Sequence, residues 1–273
     1  TLTLAGNGDS YVSGFIRDNT GNNLSQADSD GTPGANALSL VKSGTGNLTL
    51  RGNNILFIGG LTIAQGSVNL IPNINFRSNI VNNGTLTLDT GTLGATGTWN
   101  FRKTFSGADV SPLNLIISGS GNLVKEGIAT LNLGPTLIGG AMSNQQIGGT
   151  LTVRGGSLNL SSIGSDGSLI GKLVAGGDSG VSRNVSLLGK TTVQNGIDAT
   201  GQFAGTNNVL RIGASVLSNG DGKETVVADG VATINGPIRL NYMDLRLGGE
   251  AVVSRTTAGS LANRTTARLN GGD

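Results

Sequence analysis

The sequence predicts an all-β chain wound as a solenoid. Three observations carry that prediction. An apolar, small polar, apolar triplet recurs from end to end. The triplets return at intervals of about 20 residues, the size of a solenoid repeat. The composition favours turns and short strands over helices, with 47 glycines in 273 residues, more than twice the usual share of about 7%.

The triplets fix the strands. They run as Leu2-Thr3-Leu4, Leu38-Ser39-Leu40, Leu48-Thr49-Leu50, Leu61-Thr62-Ile63 and Val68-Asn69-Leu70. They continue as Leu86-Thr87-Leu88, Leu113-Asn114-Leu115, Leu131-Asn132-Leu133, Leu151-Thr152-Val153, Leu158-Asn159-Leu160 and Leu245-Arg246-Leu247. Period two places the outer residues inside and the middle one outside. Gly or Asn brackets most of these strands, as in Gly46-Asn47 and Asn83-Gly84. Both residue types accept the backbone of sharp turns.

Spacing then chooses among all-β folds. Leu48 to Val68, by way of Leu61, covers one such interval, and Leu131 to Leu151 covers another of the same length. Repeats of that size with tiny strands indicate a β-solenoid, whereas sandwich strands are longer and joined by hairpins. A longer self-match supports it. Leu40 to Leu50 aligns with Leu123 to Leu133 at an offset of 83, with Lys42 on Lys125 and Gly44 on Gly127. Ile58-Gly59-Gly60-Leu61-Thr62-Ile63 then matches Ile147-Gly148-Gly149 and Leu151-Thr152-Val153, and Gly66 to Leu70 matches Gly156 to Leu160.

These blocks resemble the autotransporter-associated β-strand repeat, also called the passenger-associated transport repeat. Lys42 to Leu50 follows its Lys-x-Gly-x-Gly-x-Leu-x-Leu block, and Gly59 to Leu70 follows the rest. Lys125 to Leu160 is a second copy, with Ala129 in place of the second Gly, and Thr1 to Phe15 reads as the tail of another. The clearest repeats are 38–70 and 121–160; the resemblance as a whole covers roughly half of the chain and fades beyond about Ser161. The resemblance implies a right-handed parallel β-helix in an exported surface protein of a Gram-negative-type bacterium. It implies no catalytic residues. It also implies a membrane β-barrel elsewhere in the polypeptide.

Composition narrows the function classes. The chain has no Cys and no His. Zinc, haem and iron–sulfur ligand sets built on them are excluded, as are Ser-His-Asp and Cys-His nucleophile systems. The charge is +2, from 18 basic and 16 acidic residues. The pI of 9.1 reflects a flat charge curve, because almost nothing titrates between about pH 5 and 9. Basic residues are scattered, so no nucleic-acid partner is expected. No run of about 18 apolar residues provides a membrane helix. The chain opens on a strand, which predicts a piece of a longer polypeptide.

The candidate sites are weak. Asp28-Ser29-Asp30-Gly31 has alternating carboxylates that could ligate Ca²⁺, but the distal Glu of an EF-hand is missing. A solvated loop is the expectation there. Asn219 to Glu224 is similar, and Gly176-Gly177-Asp178 occurs once where calcium repeats need arrays. The pairs Asn22-Asn23, Asn53-Asn54, Asn82-Asn83 and Asn207-Asn208 are expected at corners, in left-handed backbone and bonded along the axis. Lys42 and Lys125 are expected to form a solvated ladder at equivalent repeat positions. Arg239, Arg246, Arg255, Arg264 and Arg268 give a mild basic bias that suits solubility. Phe57 and Phe76 are expected in the core, and Trp99 and Tyr11 could be exposed.

The expectation is therefore a single β-helix over 1–273. About 22 residues per coil gives about 12 coils, about 58 Å of rod. Its function is expected to be structural or adhesive at the bacterial cell surface, as a stalk, filament or adhesin segment, without catalysis. No catalytic, cofactor-binding or metal residues are assigned. The expected partners are the chain itself, stacked end to end or continued, and surface glycans or other cells. The alternative is a β-helix polysaccharide lyase or glycoside hydrolase. That reading would need three or more acids stacked on neighbouring coils.

Overall fold

A computed structural model describes residues 1–14, 16–17, 37–51, 55–57, 59–72, 79–101, 115–133, 144–162, 167–177, 181–201, 208–213, 215–218, 224–227, 231–248 and 250–254. These residues form strands, turns and one 3-10 turn at Gly91–Leu93, with no α-helix among them. Nearly all pairings are parallel, and strands far apart in sequence stack on one another as a solenoid requires.

Three ladders result. The first runs through Leu2–Ala5, Leu40–Ser43, Leu61–Ile63, Ile80–Asn82 and Ile117–Gly119. It continues through the starts of Gln146–Val153 and Ser168–Ala175, then Thr191–Val193, Val231–Asn235 and Glu250–Ser254. The second takes Ser10–Val12, Asn47–Leu50, Ser67–Leu70, Thr85–Asp89 and Asn122–Glu126. It then uses the ends of the two long strands, Ile197–Thr200 and Ile238–Asn241. The third stacks Thr98–Phe101, Thr130–Leu133, Gly156–Ser162, Arg183–Gly189, Val209–Gly213 and Asp244–Gly248. Earlier in the chain, Ile16–Arg17 pairs with Ile55–Leu56 at the corresponding place in strand order.

Alternation sets what each strand buries. Leu48, Leu50, Leu61, Ile63, Val68, Leu70, Leu86, Leu88, Leu131, Leu151, Leu158 and Leu160 are all fully buried. The Thr or Asn between each pair is partly exposed. Like residues therefore stack on like, as in Leu48 on Val68 on Leu86 on Leu123. The stacks merge into one apolar core that includes Phe57, Trp99 and Phe101. Trp99 is thus buried, and its ring meets Phe101 edge-on at 5.0 Å, while Tyr11 is 57% exposed. Phe76 lies outside the described residues. The inside rule weakens on Leu2–Ala5, which pairs with Leu40–Ser43 and leaves Leu2 39% exposed.

The glycine surplus has a geometric cause at the corner between the first and second ladders. Gly66, Gly84, Gly121, Gly149 and Gly171 each approach a backbone carbonyl of the preceding coil so closely that a Cβ would overlap it. Backbone stacks on backbone there, and a side chain would force the coils apart.

Two sequence inferences need correction. Leu48 does stack on Val68, but Leu131 stacks on Leu158 rather than on Leu151. Leu151 belongs to the second ladder, on Leu123, so the interval from Leu131 to Leu151 is not one coil. The self-match at offset 83 is likewise out of phase. Leu40 to Leu50 passes from the first ladder to the second, whereas Leu123 to Leu133 passes from the second to the third. The repeated sequence encodes a strand–corner–strand unit, and two different corners use it.

The longest connections share one edge. Residues 18–36, 102–114, 134–143 and 214–230 all lie between a third-ladder position and the next first-ladder strand, a step that Arg183–Gly189 to Thr191–Val193 and Asp244–Gly248 to Glu250–Ser254 make through a single residue. Short steps along the first ladder, Leu40 to Leu61 and Leu61 to Ile80, are thus flanked by steps nearly twice as long, Leu2 to Leu40 and Ile80 to Ile117. The connection after Val209–Gly213 holds an antiparallel hairpin, Ser215–Ser218 with Glu224–Val227.

Candidate functional site

The polar groups that the fold gathers lie at its corners and along its outer rows. Lys42 and Lys125, expected in solvent, are 3% and 0% exposed. Each occupies an inward position of its strand, Leu40–Ser43 and Asn122–Glu126. A buried ammonium needs acceptors, and corner carbonyls supply them. Lys42 Nζ donates to Ser43 O at 3.0 Å and Gly44 O at 2.7 Å. Lys125 Nζ donates to Gly127 O and Gly155 O, both at 2.5 Å, joining two successive coils. The two lysines do not stack as a ladder, because Lys42 sits on Ile63 in the first ladder and Lys125 on Leu88 in the second. Burial pushes the Lys125 ammonium down from 10.5 to about 8, and the Asp89 charge partly opposes this.

Arg183 repeats the device two coils beyond Lys125. It is 3% exposed, and its strand pairs it with Gly156, which leaves room for it inside. Its Nε donates to Arg154 O at 2.9 Å and Nη1 to Thr200 O at 3.3 Å. The missed signal was alternation itself. Lys42 and Lys125 stand two residues from buried Leu40 and Leu123, hence on the inner face.

A second polar group lies inside the edge that carries the long connections. Gln145 is 1% exposed. It accepts from Ile117 N at 2.9 Å, donates through Nε2 to Leu115 O at 2.9 Å, and donates its backbone N–H to Ser168 Oγ at 2.9 Å. Ser162 Oγ bonds Ser168 Oγ. Thr191, paired with Ser168 along the ladder, buries its hydroxyl with no partner among the described residues. Through these bonds the cluster ties together the backbone of successive coils.

Outside, side chains bond along the axis. Asn159 donates to Asn132 Oδ1 at 2.8 Å and Asn132 to Asn100 Oδ1 at 2.7 Å, a ladder across three coils of the third face. Asn82, 2% exposed, donates to Asn122 O at 2.8 Å and accepts from Gly84 N at 3.2 Å. Asn208 accepts from Arg183 N at 3.1 Å. Axial bonding at these asparagines is as expected, but the left-handed backbone is not. Among the described residues only Tyr242 combines a side chain with positive φ, at 54°. Asn22, Asn23, Asn53, Asn54 and Asn207 lie outside the described residues.

Charges pair in short outward columns. Asp89 stacks on Glu126, and Arg154 follows, 2.5 Å from the Glu126 carboxylate. Asp198 holds Lys172 at 2.6 Å and Arg239 at 3.5 Å, and the Lys172 hydrogen bond draws its carboxyl below the usual range. Acids thus stack two deep here and then meet a cation. No group of three metal-ligating side chains occurs among the described residues. Asp28, Asp30, Asp178, Arg255, Arg264, Arg268 and the Asn219–Lys223 stretch lie outside them. A hollow of about 170 Å³ opens at the first coil between Leu4, Ser10, Lys42 and Leu48. No helix among the described residues is long and apolar enough to cross a membrane.

Comparison with known proteins adds no relative: no family model, curated protein or solved structure matches the chain.

Proposed function

We propose that the chain is a rigid structural or adhesive segment of a bacterial cell-surface protein, wound as a right-handed parallel β-helix. The observation that carries this reading is the shared edge of the longest connections. Four connections of ten residues or more, 18–36, 102–114, 134–143 and 214–230, follow third-ladder positions, while connections from the second ladder to the third reach eight residues and those from the first to the second are tight turns. Solenoids that bind other molecules concentrate insertions on one side, where they do not disturb stacking. Right-handedness follows the strong preference of parallel strand crossovers within one sheet. Ten strands in the first ladder support a coil number near the expected 12, and nine spacings of about 4.8 Å make that ladder about 43 Å long.

The motif resemblance at Lys42–Leu70 and Lys125–Leu160 supports export through an outer membrane and an extracellular location. Buried Lys42 and Lys125 give its lysine a physical role, as a plug for corner carbonyls. The proposed partners are surface glycans or other cells through the connection edge, and neighbouring β-helix, in the same chain or another copy, at the ends. No catalysis, cofactor, nucleic-acid binding or membrane insertion is part of the proposal.

The test compares the whole chain with a variant in which 102–114 is replaced by a short Gly-Ser link. Parallel-β circular dichroism should persist while binding to cells or a glycan array falls. Equal binding by both proteins counts against the adhesive reading. Turnover of an acidic polysaccharide that one Asp or Glu substitution abolishes would replace it with the lyase or hydrolase alternative.

A further inference from the structure

Six Asn-x-Ser/Thr triplets occur in the chain, at Asn23, Asn47, Asn83, Asn159, Asn184 and Asn263. Such triplets are acceptors of N-linked sugars, and the asparagine must stand at the surface. Alternation generates the motif, because outward positions are two residues apart and here hold Asn, Ser and Thr. The triplet alone therefore selects nothing, and the surroundings of each amide decide. Asn23 and Asn263 lie outside the described residues.

We infer that Asn83 is the acceptor of an N-linked neutral hexose and that the sugar lies over Val81. Asn83 is exposed at the corner between the first and second ladders, away from the longest connections. Described strands stack on both sides of it, Leu61–Ile63 and Ser67–Leu70 before, Ile117–Gly119 and Asn122–Glu126 after. Its exposure thus belongs to an interior coil of the rod. Asn83 Oδ1 accepts from Ser120 N and Ser120 Oγ, each at 3.3 Å. These bonds tie the carbonyl to the next coil and leave Nδ2 without a partner among the described residues. A glycosylated amide keeps its oxygen, so both bonds survive the modification.

Val81 is the second observation. It is 42% exposed, although its column neighbours Thr62 and Ser118 are polar. It stands two residues before Asn83, and Asn82 between them is buried, so Val81 and Asn83 share the outer side. The C–H face of a sugar on Asn83 would take Val81 out of water. Ala64 and Ser120, on the coils either side of Asn83, are exposed and uncharged, which suits a neutral sugar.

The other described triplets hold their amides differently. Asn47 Nδ2 donates to Thr49 Oγ1 at 3.1 Å, and its Oδ1 accepts from Ser67 Oγ at 2.9 Å. Asn159 Nδ2 donates to Asn132 Oδ1 at 2.8 Å. Asn184 is half-buried within its strand, between Ser157 and Val209.

In the transfer, Asn83 Nδ2 attacks the anomeric carbon of a hexose carried on a nucleoside diphosphate. The N–C bond forms and the bond from that carbon to the phosphate oxygen breaks. The diphosphate leaves with the electron pair, and a base of the transferase takes one amide proton. The chain supplies only the acceptor, so the site needs the fold and not the adhesive role.

Peptide masses from the native polypeptide, taken from its own cells, should show a hexose on the Asn83 peptide. The folded full chain is also given UDP-glucose and a purified N-glycosyltransferase that reads these triplets. Asn83 should react at least about tenfold faster than Asn47, Asn159 or Asn184, which react only through local opening. In denaturant the four rates should converge. Asn83→Gln and Thr85→Val should each abolish modification at this site with the circular dichroism unchanged. The sugar should raise the melting temperature of the unsubstituted chain but not that of Val81→Ser. A bare Asn83 in the native protein overturns the inference whatever the purified enzyme does. Modification of Asn47 or Asn159 as fast as Asn83 in the folded chain overturns it too, and an equal rise in melting temperature with Val81→Ser removes the sugar from Val81.

Discussion

A lysine ammonium in an apolar rod is costly unless acceptors surround it, and Lys125 survives there on two carbonyls from different coils. Its pKa of about 8 gives a signed pH dependence. Between about pH 8 and 10.5 the unfolded chain binds this proton and the folded chain releases it. Stability from this group therefore rises with pH across that window and is constant below it. Compared with Lys125→Met, the unsubstituted chain should gain up to about 3 kcal/mol from the bottom of the window to the top. Denaturant midpoints of the two proteins at several pH values measure this, and a flat difference would show that the ammonium stays charged throughout. Tyr242 is the second residue-scale prediction. Its φ of 54° is strained for a side chain, and the residue is 56% exposed. Tyr242→Gly should stabilise by about 1 kcal/mol, seen as a raised melting temperature.

At the scale of the element, strands and corners do different work. The inner Leu stacks provide most of the burial, and the outer asparagine ladder fixes alignment between coils. Asn132 bonds both Asn100 and Asn159, so Asn132→Ala should cost about 1 kcal/mol. Leu131→Ala, one residue away and fully buried, should cost about 3 kcal/mol. Chemical denaturation of both variants checks the ratio. Comparable losses would mean that the asparagine ladder does more than align. The strands could be read from the sequence because alternation is a local property. Lys42 and Lys125 were legible by the same rule, but their charge argued for solvent and hid the carbonyls that the corner brings to them.

For the whole molecule, each coil touches only its neighbours, so stability adds coil by coil and insertion tolerance depends on the corner chosen. A Gly-Ser insertion of about ten residues in the 134–143 connection should change stability by no more than about 1 kcal/mol, since lengthening a loop adds little closure entropy. The same insertion between Gly44 and Gly46, where Gly44 and Gly66 pack backbone on backbone, should break the stack. Thermal melts of the two insertion variants distinguish them, and equal tolerance would contradict the assignment of the connection edge.

The sequence alone determined the short strands, their inner and outer faces, and a parallel stacked architecture, because a two-residue period and recurring turn residues act within a few positions. Tertiary structure decided the phase. Leu40 to Leu50 and Leu123 to Leu133 look like copies, yet they turn different corners. A local unit records how to bend but not which bend of the coil it is. Contacts between coils join positions a whole turn of the solenoid apart, beyond the reach of any pattern read along the chain.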